Sequence, residues 1–381
     1  MKSEPRPLMA DGRSLVYVRP DMPGFSRVKT GTKFRYRDTN GEWIGDAEEI
    51  ARIRQLAIPP AYERVWICPL ANGHLQATGL DARGRTQYRY HAGWRALKDQ
   101  AKFERLEAFG RALPRIRARV ERDLRPGRGA PLARSLVLAT LVRLLDTTFL
   151  RVGNEEYACS NGSYGLTTLR NRHAEVRGGA LRLRFRGKGG VMHEARVDDP
   201  RLAGVVRRCQ QLPGQELFQY EDADGTPRSV SSTDVNDYLR EAAPDGQFTA
   251  KDFRTWHGTV QALELTRLAC NAQSCGTPGA TRQGTKEILA AVAARLGNTP
   301  AVCRKAYVHP AVLALGSSLA ADAGAMNDIW KEIAGRTSSV RRLRGAETRL
   351  LAFLRLQRRR TSRTQAVPKS RRKVESSRVT A

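Results

Sequence analysis

Gly84-Arg85-Thr86-Gln87-Tyr88-Arg89-Tyr90-His91, together with the residues after Ala92, decides the fold. Up to His91 the pattern has a period of two. A strand here puts Gln87 and Arg89 on one face and Tyr88 and Tyr90 on the other. From Ala92 the period becomes helical. Phe103, Leu106, Phe109, Leu113, Ile116, Val120 and Leu124 recur three or four residues apart, with Arg and Lys between them. The chain therefore reads as α+β: a small N-terminal antiparallel β domain over 14–91, then a mainly α-helical domain over 92–330.

Upstream of the switch, Leu15 to Val18, Lys33 to Arg37 and Val65 to Cys68 are short runs bounded by Gly, Asn, Asp and Pro, as strands are. Asn40-Gly41 and Asn72-Gly73 are turn signals. Glu48 to Leu56 reads as a helix that stops before Pro59-Pro60. Residues 1–13, polar with Pro5 and Pro7, are expected to be a flexible segment.

Downstream, Leu136 to Leu150 is apolar on nearly all sides and reads as a buried helix. Arg151 follows it directly. It either satisfies the last carbonyls of that helix or offers a rigid fork to a phosphate. Leu181, Leu183 and Phe185 then alternate with Arg182, Arg184 and Arg186. Gly187-Lys188-Gly189-Gly190 turns the chain and Val191 to Val197 returns, a β-hairpin with Lys188 at its tip. Such a tip enters a groove or is merely solvated. Ser231 to Ala242 is a capped helix. The helix from Lys251 to about Ala269 puts Lys251, Arg254 and Gly258 on one face. Trp256 reads as core, and His257 as a structural hydrogen-bonding residue.

Gln273 to Gln283 is a Gly/Ser/Thr-rich loop. Lys286 to Leu296 is a helix stopped by Gly297. Thr299 caps, and Pro300 starts, a short helix expected to carry Tyr307 before Pro310 ends it. Taken alone, Tyr307 is a boundary aromatic or a nucleophile. Residues 331–356 read as a helical extension. Residues 357–381, rich in Arg and Lys against Glu375 alone, read as a basic disordered tail.

Composition narrows the partner. With 66 Lys and Arg against 38 Asp and Glu, the formal charge is +28. Self-repulsion of that size opposes compaction and favours an anionic partner; distributed basic residues suit nucleic acid through counterion release. No apolar run approaches the roughly 20 residues of a spanning helix and no leader pattern opens the chain, so a membrane is not expected. The six cysteines (68, 159, 209, 270, 275 and 303) form no C-x-x-C pair. The six histidines do not cluster either. This argues for reduced thiols and against zinc or a disulfide framework. No metal and no other cofactor is expected.

Five motifs in order carry a resemblance. They are Arg151-Val152-Gly153-Asn154, Ser163-Tyr164-Gly165-Leu166-Thr167-Thr168-Leu169, Phe185-Arg186-Gly187-Lys188-Gly189-Gly190, Lys251-Asp252-Phe253-Arg254-Thr255-Trp256 and Asn298-Thr299-Pro300 through Tyr307-Val308-His309-Pro310. Together they resemble the poxvirus and bacterial branch of the type IB DNA topoisomerases, along residues 60–320. The strand 84–91 is similar to that branch's groove-reading strand. The resemblance implies relaxation of supercoiled DNA without ATP or metal. Tyr307 would attack a phosphodiester to give a 3′-phosphotyrosyl link, the free duplex end would rotate, and the strand would be religated. It assigns Arg151 and Arg254 to the non-bridging oxygens, and Lys188 as general acid to the leaving 5′-oxygen. Lys251 would support Arg254 or share in the proton relay.

Asn298 departs from the poxvirus pattern, which has histidine nine residues before the tyrosine. Asparagine donates a hydrogen bond but carries no proton, so oxyanion stabilisation stays and a base role does not. DNA contacts are implied at Gln87, Tyr88, Tyr90, Tyr157 and Lys251. Asn154 stands where poxvirus members carry lysine. The two domains would form a clamp around duplex DNA, in a cytoplasmic, nucleoid-associated monomer. Two other readings compete. A tyrosine recombinase shares the Arg/Lys/Arg/Tyr logic, but usually carries His-x-x-Arg where this chain has Lys251-x-x-Arg254. A DNA-architectural protein would use the charge without chemistry.

Overall fold

In the computed structural model, residues 8–10, 13–82, 84–125, 131–274, 284–319 and 323–365 are described. They belong to two units, one up to Glu104 and one from Arg105.

The N-terminal unit opens with β1 (Leu8–Ala10) and β2 (Arg13–Leu15), paired antiparallel with Leu8 opposite Leu15. Within the segment 1–13 expected to be flexible, Leu8–Ala10 and Arg13 are therefore strand; residues 1–7, 11 and 12 lie outside the described residues. Next comes a five-stranded antiparallel sheet in the order β4-β3-β5-β6-β7. Its strands are β3 (Phe25–Thr30), β4 (Lys33–Arg37), β5 (Glu63–Ile67), β6 (Leu75–Leu80) and β7 (Thr86–Tyr90). Helix α1 (Ala47–Gln55) starts at Asp46, whose carboxylate accepts from the Glu48 amide at 2.9 Å.

Register decides which sheet face is covered. Phe25 lies opposite Ile67, Ile67 opposite Ala77 and Ala77 opposite Arg89. Ile67 and Ala77 pack with Ile53 of α1 and Val65, so this is the core face. The next row (Ser26, Trp66, Thr78, Tyr88) points the other way. Tyr88 and Tyr90 are therefore on the open face, 49% and 38% exposed, while Gln87 and Arg89 are half-buried on the covered one.

Helix α2 (Ala92–Asp123) begins at the expected switch and contains Pro114 without a break. Its first turns belong with the sheet: Trp94 packs edge-on against His74, with centroids 4.7 Å apart. The boundary between units accordingly falls after Glu104 instead of at residue 92. Beyond it, Leu106, Phe109, Leu113, Ile116, Val120 and Leu124 are all buried, as their spacing predicts.

The C-terminal unit continues with α3 (Arg134–Thr148), buried along most of its length, and α4 (Glu155–Asn161). A three-stranded sheet in the order β10-β9-β8 is built from β8 (Ala174–Arg177), β9 (Ala180–Arg186) and β10 (Met192–Asp198). Leu181, Leu183 and Phe185 point inward and the intervening arginines outward. The chain then runs through α5 (Pro200–Cys209), the ribbon β11 (Gln219–Glu221) and β12 (Pro227–Ser229), and α6 (Ser232–Ala242), opened by a Ser231–Asp234 capping box. Helices α7 (Ala250–Ser274), α8 (Thr285–Leu296), α9 (Pro300–Ala306), α10 (Pro310–Leu319), α11 (Ala323–Gly335) and α12 (Gly345–Gln365) complete it. The 273–283 loop lies mostly outside the described residues.

One core runs through this unit, and α12 is part of it, not an extension: Leu350, Leu351, Phe353 and Leu354 are buried alongside Phe109 and Trp256. The helix also continues nine residues past 356, to Gln365, where a structureless tail was expected. Arginine is a good helix former, and two arginines find acids here: Arg358 on Glu107 at 3.4 Å and Arg360 on Glu332 at 2.8 Å. Residues 366–381 lie outside the described residues.

A buried ionic cluster ties four helices together. Arg117 of α2 donates to Asp146 of α3 at 2.8 and 2.9 Å, and to Glu347 of α12 at 2.8 Å twice. His257 Nε2 of α7 bonds Asp146 at 3.1 Å, and the Trp256 indole donates to Glu347 at 3.2 Å. Trp256 is thus core and His257 structural, as the sequence suggests. Burial opposes the charge on Asp146, but His257 and Arg117 bind it and hold it well below the usual carboxylate range.

Candidate active site

Thr299 caps α9, its hydroxyl accepting from the Val302 amide at 3.3 Å, and Pro300 fills the first helical position. The helix ends at Ala306, so Tyr307 stands just past it, not on it as expected. Its amide still bonds the Cys303 carbonyl at 3.0 Å, but its own carbonyl leaves the ladder and accepts the Thr259 hydroxyl of α7 at 3.1 Å. The same hydroxyl accepts the His309 amide at 3.2 Å. A residue before proline resists the α region, so the chain turns at Val308-His309 and α7 takes over the freed groups. A Cβ on Gly258 would lie 2.8 Å from the Tyr307 carbonyl oxygen. That position must be glycine for α7 to come this close.

Arg254 is buried in α7, at 4% exposure. Its guanidinium donates to two helix-end carbonyls: Phe149 O after α3, and Leu296 O of α8 at 2.7 Å. It lies 4.9 Å from the centre of the Tyr307 ring. Phe149 itself adopts a left-handed conformation, φ 60°, which is uncommon for a non-glycine residue. That turn ends α3 and starts the stretch bearing Arg151. Arg151 donates to the Asn298 side-chain oxygen and, at 3.5 Å, to Gly297 O. The backbone of 151–153 is clamped by the 165–168 turn: the Leu166 amide bonds Arg151 O at 2.9 Å and the Thr167 amide bonds Val152 O at 2.6 Å. The Ser163-to-Leu169 motif thus holds the arginine stretch. Gly297 has φ 58° and terminates α8, which delivers Asn298.

Burial pushes the Tyr307 phenol up, but Arg254, Arg151 and Lys188 outweigh it and hold it below its ordinary value. Lys188 is exposed in the hairpin turn, close enough to act on the phenol by its charge. Two buried donors around this tyrosine, Arg254 Nε and Asn298 Nδ2, have no partner among the described residues. Buried donors are nearly always paired. Two unpaired donors beside two guanidinium groups are chemically suited to an anion's oxygens.

The structure thus brings Arg151, Lys188, Arg254, Asn298 and Tyr307 together. Lys251 sits exposed one turn before Arg254, with no hydrogen bond or ion pair to those five among the described residues. Gln87, expected to read a base edge, instead donates to Asp81 at 3.0 Å on the covered side of its strand. Tyr88 and Tyr90 are exposed and near-parallel, with centroids 6.0 Å apart. The Tyr157 side chain lies outside the described residues. Sequence reasoning missed Thr259, and it missed His193, whose Nε2 lies 3.5 Å from Arg151. The Lys-Asp-Phe-Arg stretch lies five residues from Thr259, but a lone threonine carries no signal of its own.

Asp146, His257 and Glu347 are metal-ligand types gathered in one place, with ligand atoms within 4.8 Å of one another. The Arg117 guanidinium already fills the space between both carboxylates, so the group does not fit a divalent ion.

His309 offers a stability test. Its Nδ1 accepts the Ala311 amide at 3.1 Å, capping α10, and burial holds its pKa down to about 4. The unfolded imidazole titrates near ~6.5. The unfolded chain therefore binds the extra proton between those values, and stability is full above pH 6.5 and falls toward pH 4. His309→Asn keeps a capping acceptor without the titration. Urea unfolding at pH 7 and pH 4.5 should show wild type losing about 2 kcal/mol more than the variant.

Comparison with known proteins gives the family. Residues 91–326 match the family described as eukaryotic DNA topoisomerase I, catalytic core, and residues 33–81 match the bacterial DNA topoisomerase IB N-terminal domain. The DNA topoisomerase 1B of Acanthamoeba polyphaga mimivirus is 30% identical over 292 residues, covering 75% of this chain and 85% of that protein. The DNA topoisomerase 1B of vaccinia virus (strain Copenhagen) is 24% identical over 256 residues, covering 66% of this chain and 75% of its own. Among the described residues no helix is long and apolar enough to cross a membrane. On the family match over most of the chain and the mimivirus likeness, the chain belongs to the type IB DNA topoisomerases, in the branch of the viral and bacterial enzymes.

Proposed function

We propose that this enzyme relaxes supercoiled duplex DNA through a covalent tyrosyl intermediate, with Tyr307 as nucleophile and without metal or ATP. The observation that carries this reading is the phenol flanked by two arginines and two open buried donors. The phenol oxygen attacks phosphorus and the 5′-oxygen leaves. One ester is exchanged for another, so religation needs no outside energy. As charge builds on the non-bridging oxygens, Arg254 and Arg151 stabilise it and Asn298 Nδ2 donates as a neutral third contact. Arg254 is fixed beforehand by backbone carbonyls and Arg151 by the Asn298 side-chain oxygen, so little reorganisation is required.

Lys188 protonates the leaving 5′-oxygen. The lowered phenol pKa makes deprotonation easier at no cost in position. The N-terminal unit presents Tyr88 and Tyr90 to the duplex, and the two units close around it as a clamp. Gln87, held by Asp81, reads a base only if that bond is exchanged. Tyr157 and Lys251 add backbone contacts. The enzyme acts as a monomer at the nucleoid.

The test is relaxation of supercoiled plasmid in EDTA without ATP, where a ladder of topoisomers is expected from both negatively and positively supercoiled substrate. Bound but unrelaxed plasmid would overturn the reading in favour of a DNA-architectural protein. Joining between two specific sites would favour a recombinase.

A further inference from the structure

We propose that His193 is a positioning residue, the wedge that locks the Lys188 hairpin tip onto the Gly297-Asn298 joint. The proposal rests on the reading of Lys188 as general acid.

His193 is the second residue of β10, paired with Phe185 of β9 and stacked on its ring with centroids 5.6 Å apart. From there its imidazole leaves the hairpin and enters a slot between two glycines. One is Gly187, directly before Lys188. The other is Gly297, directly before Asn298. A Cβ on either would overlap the imidazole ring. The ring therefore touches the backbone of both segments that carry site residues, and both glycines are needed to admit it. A further contact is Arg151, whose Nη1 faces Nε2 at 3.5 Å.

Arginine can only donate, so Nε2 accepts and the ring is neutral with its proton on Nδ1. Burial, Arg151 and Arg254 all favour that neutral form. One side chain thus joins the hairpin of Lys188, the joint of Asn298 and the guanidinium of Arg151. The Gly187-to-Gly190 turn has backbone bonds of its own, Gly187 N to Val191 O at 2.8 Å and Gly190 N to Gly187 O at 3.1 Å. Those fix the shape of the turn but not its distance from the joint.

The two glycines separate this idea from a general structural role. Gly187 has φ −97°, open to any residue, so Gly187→Ala strains no backbone and disturbs only His193. Gly187→Ala, His193→Ala, the double variant and Lys188→Ala are compared in single-turnover cleavage of a duplex at saturating protein. Binding and thermal melting serve as folding controls. A misplacement of about 1 Å costs on the order of 100-fold, so each single variant at 187 or 193 should fall by about that factor. The double variant should be no slower than His193→Ala, because the added methyl then has room.

Each protein is also tested on a duplex whose leaving 5′-oxygen is sulfur. A thiolate leaves without a proton, so sulfur should recover most of the Lys188→Ala loss, and most of the His193→Ala loss with it. Multiplying losses in the double variant would overturn the proposal. So would sulfur rescuing Lys188→Ala but not His193→Ala. If sulfur fails to rescue Lys188→Ala itself, the assignment of Lys188 as acid is what falls, and the wedge loses its purpose with it.

Discussion

Tyr307→Phe should yield no covalent protein–DNA adduct and no relaxation, while duplex binding stays within about twofold of wild type. The substitution removes one oxygen. The ring stays in contact with Arg254, the carbonyl stays bonded to Thr259, and the four partner residues keep their places. The loss is therefore chemical. No hydroxyl with the same surroundings replaces it, and a drop of more than about 10⁵-fold corresponds to roughly 7 kcal/mol of barrier. Denaturing gels of protein mixed with end-labelled duplex, read beside equilibrium binding, check both halves. Persistent adduct would point to a different nucleophile. Lost binding would mean that the phenol is part of the docking surface.

The second large effect is on stability. Arg117→Met should cost about 3–5 kcal/mol, the range for stripping one partner from a buried ionic group. Asp146 and Glu347 are 3% and 1% exposed, and each takes two bonds from that guanidinium. Without it, two carboxylates face each other with His257, the Trp256 indole and the Arg344 amide as their remaining partners among the described residues. Set against a usual total of about 5–15 kcal/mol, this threatens the fold itself. Replacing Asp146 and Glu347 by leucine in the same chain should recover much of the loss, since a well-packed apolar cluster often matches a buried ionic one. Urea unfolding of both variants checks this. The single variant should also lose cleavage, because Asp146 sits on the last turns of α3, just before the left-handed Phe149 and Arg151.

Much of this was legible in the residues. The switch of period at Ala92, the arginine-studded hairpin, the capped start of α9 and the glycine stop of α8 all come from local rules, and they appear where the rules put them. Arg254 and Arg151 were legible as residues, but not as anchored ones. Arg254 is held by backbone carbonyls, which have no sequence signature, and the pairing of Arg151 with Asn298 joins residues 147 apart. The ionic cluster was hidden for a related reason: its members come from positions 117, 146, 257 and 347, and only tertiary packing gathers them. His193 looked like an ordinary strand residue, because its slot is made by two glycines more than a hundred residues apart. The start of the tail, 357–365, was misread from its charge. A run of arginines repels itself in isolation, yet α12 places its arginines beside glutamates of α2 and α11.

The pairing of β6 with β7 has a consequence for how this enzyme can diverge. A strand's two faces differ by a single step of the ladder, so moving β7 by one residue would turn Tyr88 and Tyr90 inward and bring Gln87 and Arg89 to the open side. The connection from Asp81 to Arg85 sets that step, through the Asp81 amide on Arg85 O at 3.0 Å and the Gly84 amide on Asp81 O at 2.8 Å. Its length thus acts as a selector. One inserted or deleted residue would not merely alter a loop; it would exchange an aromatic surface for an amide-and-guanidinium one, with every residue of the strand itself unchanged.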